Sequence, residues 1–258
     1  MTTNSISFDR AASFFDQTRE LPEIVKQHGI PAILAHIAPH GKVLDVGTGT
    51  GRINVPLLNL GVDVIGVDLS IKMMNRLREK YSAARLAQAD ASRLPFASHT
   101  FDAVLTTHVL HLVGPWREAL REFKRVLKPG GLHLDARSLQ PETSVNQRIR
   151  GYWRDRVKAH GGRAERGSAE NSEAIVAQLK TLGTYEEVEA VRFTDTYTPR
   201  EIVEQLASRV HSSSWSIPDD IFEAAIRDLR EWAGHEYSDL DQLIAEERRF
   251  MLRITHFE

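Results

Sequence analysis

Between residues 41 and 136 short apolar runs alternate with amphipathic stretches: KVLDV, RINVPLLNLG, VDVIGVD, IKMMNRLREKYSA, RLAQAD, FDAVLTT, PWREALREFKRVLKPGG and LHLDA. That rhythm predicts parallel strands joined by crossover helices. VLDV and DAVLTT are almost continuously apolar, as strands are when helices cover both faces, so an α/β, doubly wound sheet is expected. Ser70 stands where it can cap the helix IKMMNRLREK, and Gly130 with Gly131 where they can end the helix closing on FKRVLK. Trp116, Leu120, Phe123 and Leu127 recur at helical spacing and predict one buried face.

Residues 138–182 read differently: strand formers are sparse, and AHGGRAERGSAENS separates two helical stretches. This predicts a helical insertion after the fifth strand. Beyond it EEVEAVRFTDTY and RRFMLRITHF read as strands, with PREIVEQLASRV and PDDIFEAAIRDLREWA as helices between them. The expected organisation is one domain over 1–258, with an N-terminal helical cap (1–40), a core (41–137), a helical lid (138–182) and a C-terminal completion of the sheet (183–258).

A content of 41% hydrophobic and 26% charged residues supports a packed core and argues against disorder. The formal net charge of -2 gives no overall field for a polyanion, so nucleic acid is a minority expectation. The absence of cysteine excludes disulfides, thiolate metal sites and cysteine nucleophiles, and fits a reducing compartment. MTTNSISFDRAASFF has no basic start and apolar signal core, and no long apolar run occurs. A cytoplasmic protein without membrane insertion is expected, its oligomeric state open.

The sharpest chemical signal is VLDVGTGTGR, an apolar strand ending at Asp45 and Val46 and entering Gly47, Thr48, Gly49, Thr50 and Gly51. Glycines allow a tight turn and let a ligand approach the backbone. A dinucleotide loop needs a small residue at the third position of GxGxxG, and counted from Gly47 that position is Arg52. GxGxG fits instead the loop that receives the amino acid and ribose of S-adenosylmethionine. About twenty residues on, VIGVDLS ends a strand at Asp68, whose carboxylate can accept from both ribose hydroxyls or simply cap the next helix. In AQADASRLPFASHTFDAV, Asp90 ends the third strand and can accept an adenine amino group, with Leu69 and Met73 as apolar surface. Met73 and Met74 cannot both face one ligand from one helix, and either serves equally as core.

The succession VLDVGTGTGR, VIGVDLS, ADASRLPFASHTFDAV, HVLHLV and FKRVLKPGG resembles the class I S-adenosylmethionine-dependent methyltransferases, especially the subgroup containing the quinone-biosynthesis C-methyltransferases. The resemblance covers roughly residues 8 to 137. It implies a mostly parallel seven-stranded sheet with an antiparallel last strand, and S-adenosylmethionine as cofactor. It implies that Gly47, Gly49 and Gly51 line the methionine end with Asp45 near its amino group, and that Asp68 and Leu69 meet ribose and adenine. Asp90 and Ala91 would meet the adenine edge, and Thr106 to His108 the region below the sulfonium. FDRAASFFDQTRE resembles the helix that folds across the cofactor, with Phe15 and Arg19 as contacts; a packing helix accounts for them equally well.

Methyl transfer needs no metal, and none is expected. His108 and His111 in TTHVLHLV follow the fourth strand, where either can take a proton or orient an acceptor, or else cap the loop. Residues 145–166 hold seven basic residues (Arg148, Arg150, Arg154, Arg156, Lys158, Arg163 and Arg166) against Asp155 and Glu165. Such a lid can grip an anionic small molecule, through Arg150 and Arg154 with Trp153 as an apolar wall, or be a solvated face. An RNA methyltransferase is a further alternative, but TTHV stands where base-amino methyltransferases often carry Asn/Asp-Pro-Pro-aromatic. A cofactor-binding module without catalysis is another.

Overall fold

A computed structural model describes residues 5–163 and 169–257. The strands are β1 (Lys42–Val46), β2 (Asp63–Asp68), β3 (Arg85–Gln88), β4 (Phe101–Thr107), β5 (Leu127–Leu139), β6 (Gly183–Tyr197) and β7 (Ile244–Phe257). The helices are α1 (Phe15–Thr18), α2 (Ile30–Leu34), α3 (Asn54–Asn59), α4 (Ile71–Lys80), α5 (Trp116–Val126), α6 (Val145–Ala159), α7 (Ala169–Leu182), α8 (Pro199–Ala207) and α9 (Asp219–Glu236).

The strands form one seven-stranded sheet in the order β3-β2-β1-β4-β5-β7-β6. β1 pairs in parallel with β2 and β4, β2 with β3, and β4 with β5, while β7 enters antiparallel. The order reverses at β1 and β4, so the carboxyl ends of these strands open a crevice of the kind in which such sheets bind ligands.

Local signals account for much of this. Ser70 Oγ accepts from the Met73 amide at 3.1 Å and starts α4 as its sequence predicts. On α5, Trp116, Leu120 and Phe123 are buried as the periodicity requires. That helix stops at Val126, earlier than Gly130 and Gly131, because Leu127 already pairs with Phe101 in the sheet. The glycines sit instead in a bulge, where pairing jumps from Phe101–Leu127 to Ala103–Leu132, with Gly130 at φ +79.

The chain divides into two compact units. The first comprises Met1–Ser138, Ser168–Val191 and Phe250–Glu258; the second comprises Leu139–Gly167 and Arg192–Arg249. The first buries a core of sheet residues and α5, including Leu44, Val104, Phe101 and Phe123, to which α7 adds Ile175 and Leu179. The second has its own core, in which Ile149, Trp153 and Val157 of α6 meet Ile202 and Leu206 of α8 and Phe222, Ile226 and Leu229 of α9. The two helices after β5 therefore belong to different units: α7 is a crossover helix of the first, and α6 a member of a helical cluster.

Candidate active site at the carboxyl ends of β1, β2 and β4

The first unit carries a glycine loop between β1 and α3 whose backbone is committed inward. The Gly47 and Thr48 amides donate to the Val67 carbonyl at 2.8 and 3.0 Å, and that of Gly51 to Thr48 at 3.0 Å. The Gly49 amide donates to Asp68 Oδ2 at 2.8 Å. Four of the five amides of residues 47–51 are thus spent within the protein, leaving little of the donor array that a pyrophosphate needs. Gly47, Gly49 and Gly51 all have positive φ, +73, +56 and +83, where an L side chain is strained. A Cβ on Gly47 would stand 2.2 Å from Val109 Cγ2, and one on Gly51 2.7 Å from Leu77 Cγ.

Two carboxylates flank this loop. Asp45, at the end of β1, is buried and accepts from Asn54 Nδ2 at 3.1 Å. Burial raises its pKa to about 6, against the lowering pull of the Thr48 and Asn54 side chains, and nearby Asp68 raises it further. Asp68 also has a raised pKa through burial, opposed by amide donors that include Ser70 and Gly49. It therefore ties the loop to β2 and turns the chain into α4, and each carboxylate oxygen keeps a further lone pair.

The other expected cofactor residues fall around this cradle. Leu69 is half-buried; Met73 is buried, with Cε 3.4 Å from the Cβ position of Gly49, and Met74 packs wholly into the core. Asp90 lies two residues beyond β3, which ends at Gln88, and its Oδ1 accepts the Ser92 amide at 2.8 Å and hydroxyl at 2.6 Å. The strand stops earlier than its sequence predicts because Asp90 turns the chain through these bonds. Ala91 is buried in the core beside it.

The N-terminal segment clasps the loop. Asp16 Oδ1 accepts the Thr50 hydroxyl at 2.5 Å while its Oδ2 meets Lys80 at 2.7 Å, and the Ser70 hydroxyl donates to Asp9. The Phe15 ring meets two guanidinium groups, Arg19 at 4.9 Å and Arg52 at 5.2 Å from its centre. Arg52 Nη1 also donates to the Arg19 carbonyl at 2.5 Å. The residue too large for a dinucleotide loop thus anchors the strap. Burial and the neighbouring Arg52 lower the pKa of Arg19 to about 10.

A small cleft with room for about one water lies beyond β4 and β5, lined by His108, Leu110, His111, Asp135, Arg137, Ser172 and Ile175. His108 adopts φ +55, and its Nε2 accepts the Ser138 amide at 3.0 Å. That nitrogen carries no proton, and burial with nearby Arg52 holds the ring pKa down to about 3. The imidazole of His111 makes no hydrogen bond among the described residues; burial, with Arg137 nearby, lowers its pKa to about 4. Both rings are neutral near pH 7. Thr106, expected below the sulfonium, is buried with its hydroxyl 3.0 Å from both His133 Nε2 and Asp135 Oδ1.

Comparison with known proteins reads the same way. A methyltransferase-domain model matches residues 44–134. The chain is 33% identical over 196 residues to the ubiquinone/menaquinone biosynthesis C-methyltransferase of Syntrophotalea carbinolica, covering 70% of this chain and 82% of that one. The chain belongs to the S-adenosylmethionine-dependent methyltransferases. It is 39% identical over 93 residues to the demethylmenaquinone methyltransferase of Renibacterium salmoninarum, 36% of this chain and 39% of that one. It spans about half or less of several other curated relatives. The YcgJ protein of Bacillus subtilis shares the fold with a TM-score of 0.56 at 19% identity, over 89% of this chain and 98% of that one.

The cofactor of this methyltransferase family is S-adenosylmethionine, and the cradle fits it by chemistry: two carboxylates for a cationic ligand, and a loop with few free amides for an anionic one. Among the described residues no group of three or more His, Asp or Glu can hold a metal, and no helix is long and apolar enough to cross a membrane.

Arg148, Arg150 and Arg156 of α6 are engaged within the second unit. Arg150 Nε donates to Asn146 Oδ1 at 2.6 Å and its Nη2 lies 2.8 Å from His211 Nε2. Arg148 pairs with Glu236. Trp153 is buried in edge contact with Phe222, ring centres 6.4 Å apart, and Arg154 is half-buried. Arg166 and Glu165 lie outside the described residues. Asn54, Asp135, Arg137 and Ser172 had no motif to announce them, and within FDRAASFFDQTRE nothing set Asp9 and Asp16 apart; all but Asn54 reach their partners across distant parts of the chain.

Proposed function

We propose that the chain transfers a methyl group to a small molecule held in the cleft beside His111, with His111 as general base. The observation that carries this reading is a glycine loop whose amides are spent inward while Asp45 and Asp68 flank it, an arrangement suited to a cation. On this reading Asp45 holds the cofactor's ammonium group, and Gly47, Thr48, Gly49 and Gly51 leave room for its amino acid end. Asp68 accepts from the ribose hydroxyls, Leu69 and Met73 wall the adenine, and Asp90 and Ala91 meet its edge. Phe15 and Arg19 cover the open side.

Bound S-adenosylmethionine supplies an electrophilic methyl group. The protein aligns the acceptor for in-line attack, a proximity effect worth up to ~7–11 kcal/mol in well-oriented systems. His111 accepts the acceptor's proton as the new bond forms; with its pKa held to about 4, its contribution lies at the low end of the ~100- to 10,000-fold that a general base supplies. His108 acts differently: with Nε2 occupied by the Ser138 amide, it positions the loop that carries His111. Thr106 supports the cleft from beneath, through Asp135.

Titration calorimetry tests the cofactor assignment. S-adenosylmethionine is expected to bind and NADH not to; binding of NADH alone overturns the reading. Asp68→Ala is expected to weaken cofactor binding at least about tenfold, as loss of a charge-assisted pair implies. Because Asp68 also ties Gly49 to β2, some thermal stability is lost with it. Strong cofactor binding with no transfer of labelled methyl to a broad acceptor panel would favour a sensing module instead.

A further inference from the structure

Asp135 and Arg137 stand two residues apart on β5, so both side chains project from one face of the sheet toward the cleft. Asp135 pairs in register with Thr106 on β4, and the Thr106 hydroxyl donates to its Oδ1 at 3.0 Å. Thr106 is itself held by His133 Nε2 at 3.0 Å, on the same face of β5 and deeper in the core. One carboxylate oxygen is therefore fixed from below. The other, Oδ2, makes no hydrogen bond among the described residues, and its charged neighbour is Arg253, 3.9 Å away. Asp135 as a whole is only 5% exposed and lines the cleft, so Oδ2 is open to a donor that a molecule in the cleft can bring.

The charges around it are already matched. Arg137 Nη1 donates to Ser172 Oγ at 2.7 Å, and Arg253 Nε meets Glu187 Oε1 at 3.2 Å. Two guanidinium groups thus face Asp135 and Glu187; burial pushes the Asp135 carboxyl up while Arg137, Thr106 and Arg253 favour its charged form, and His108 and His111 are neutral. Nothing in this balance calls for a further anion. What the cleft lacks is a donor for Asp135 Oδ2, and what it can still offer is the rest of the Arg137 donor fork.

Resting on the acceptor site proposed above, we propose that Asp135 and Arg137 are its specificity-determining pair: they bind an uncharged group that both donates and accepts a hydrogen bond, and Asp135 turns away a carboxylate. A carboxamide, or a hydroxyl beside a carbonyl, has this chemistry. It gives its proton to Asp135 Oδ2 and its carbonyl accepts from Arg137. A carboxylate in the same place sets two like charges together at a desolvated contact, which weakens its binding about tenfold or more. The positive charge of Arg137 lowers that penalty without removing it, since it is already shared with Asp135.

The test uses two probes of one shape, 2-naphthamide and 2-naphthoate, titrated into the full chain saturated with S-adenosylhomocysteine. The wild-type protein is expected to bind the amide at least about tenfold more tightly. Asp135→Asn keeps an oxygen for the Thr106 hydroxyl and removes the charge, so the preference should fall to within about threefold. Should that variant not fold, Arg137→Gln serves, and there the preference for the amide should widen. Equal or tighter binding of the naphthoate by wild type, an undiminished preference in Asp135→Asn, a narrowed one in Arg137→Gln, or no binding of either probe each overturns the proposal. S-adenosylhomocysteine affinity, measured first and alone, separates this outcome from failure of the cofactor reading.

Discussion

At the scale of single residues, two positions in the cradle carry opposite kinds of constraint. Gly47 is steric: its φ of +73 and the 2.2 Å approach to Val109 leave no place for a methyl group. Gly47→Ala is expected to destabilise the first unit by ~1–3 kcal/mol and to weaken cofactor binding, measured by chemical denaturation and calorimetry on the same sample. Asp45 is electrostatic. Burial raises its pKa to about 6, so the carboxyl is ionised above that pH and neutral below it. If it holds the cofactor's ammonium group, affinity for S-adenosylmethionine is full above pH 6 and declines as pH falls through 6, and Asp45→Asn flattens the profile at the weaker level. The glycine and its neighbour Asp45 were legible in VLDVGTGTGR because both belong to one short stretch of backbone. Asn54, which supports Asp45, was not, because nothing in its spacing distinguishes it from any polar residue near a helix start.

At the scale of elements, the histidines and the N-terminal strap carry the arguments. His108, His111 and His133 have pKa values lowered by burial to about 3, 4 and 3, whereas an unfolded histidine titrates near ~6.5. Between those limits the unfolded chain binds more protons than the folded one, so stability rises with pH. The melting temperature is expected to fall as pH drops from about 6.5 toward 4, and His133→Asn should lessen the slope. The kcat profile should show no limb near 6.5, its rising limb lying near pH 4 with His111. In the strap, the Asp16 pair with Lys80 is half-exposed and worth only ~0.2–1 kcal/mol, but it closes the segment over the glycine loop. Asp16→Ala should leave the melting temperature nearly unchanged and raise the cofactor's dissociation rate several-fold in stopped flow. The sequence made Phe15 and Arg19 candidates. That Arg52 reaches back to the Arg19 carbonyl and the Phe15 ring is a pairing 33 residues apart that no periodicity records.

On the scale of the whole molecule, two cores are built from interleaved segments. Each helix after β5 has an apolar face, but the face does not say which core it enters: Ile175 and Leu179 of α7 join the sheet, and Trp153 of α6 joins α8 and α9. Trp153→Ala should cost ~3–5 kcal/mol in denaturant, with hydrogen exchange locating the loss at Ile149, Phe222 and Leu229 rather than in β1 and β4. A merely surface-docked tryptophan would cost far less.

The chain's local pattern was enough for the strands, the crossover helices, the Ser70 cap and the glycine loop, since each depends on residues a few positions apart and on backbone conformations that only some side chains allow. The same local rules exposed Asp45, Asp68 and His111 as chemistry waiting at strand ends. Only the folded arrangement decided which side chains complete them. Asp9 with Ser70, His108 with Ser138 and Arg137 with Ser172 meet across 61, 30 and 35 residues, and such meetings are set by how whole elements pack, a property of the sheet order and not of any stretch of sequence.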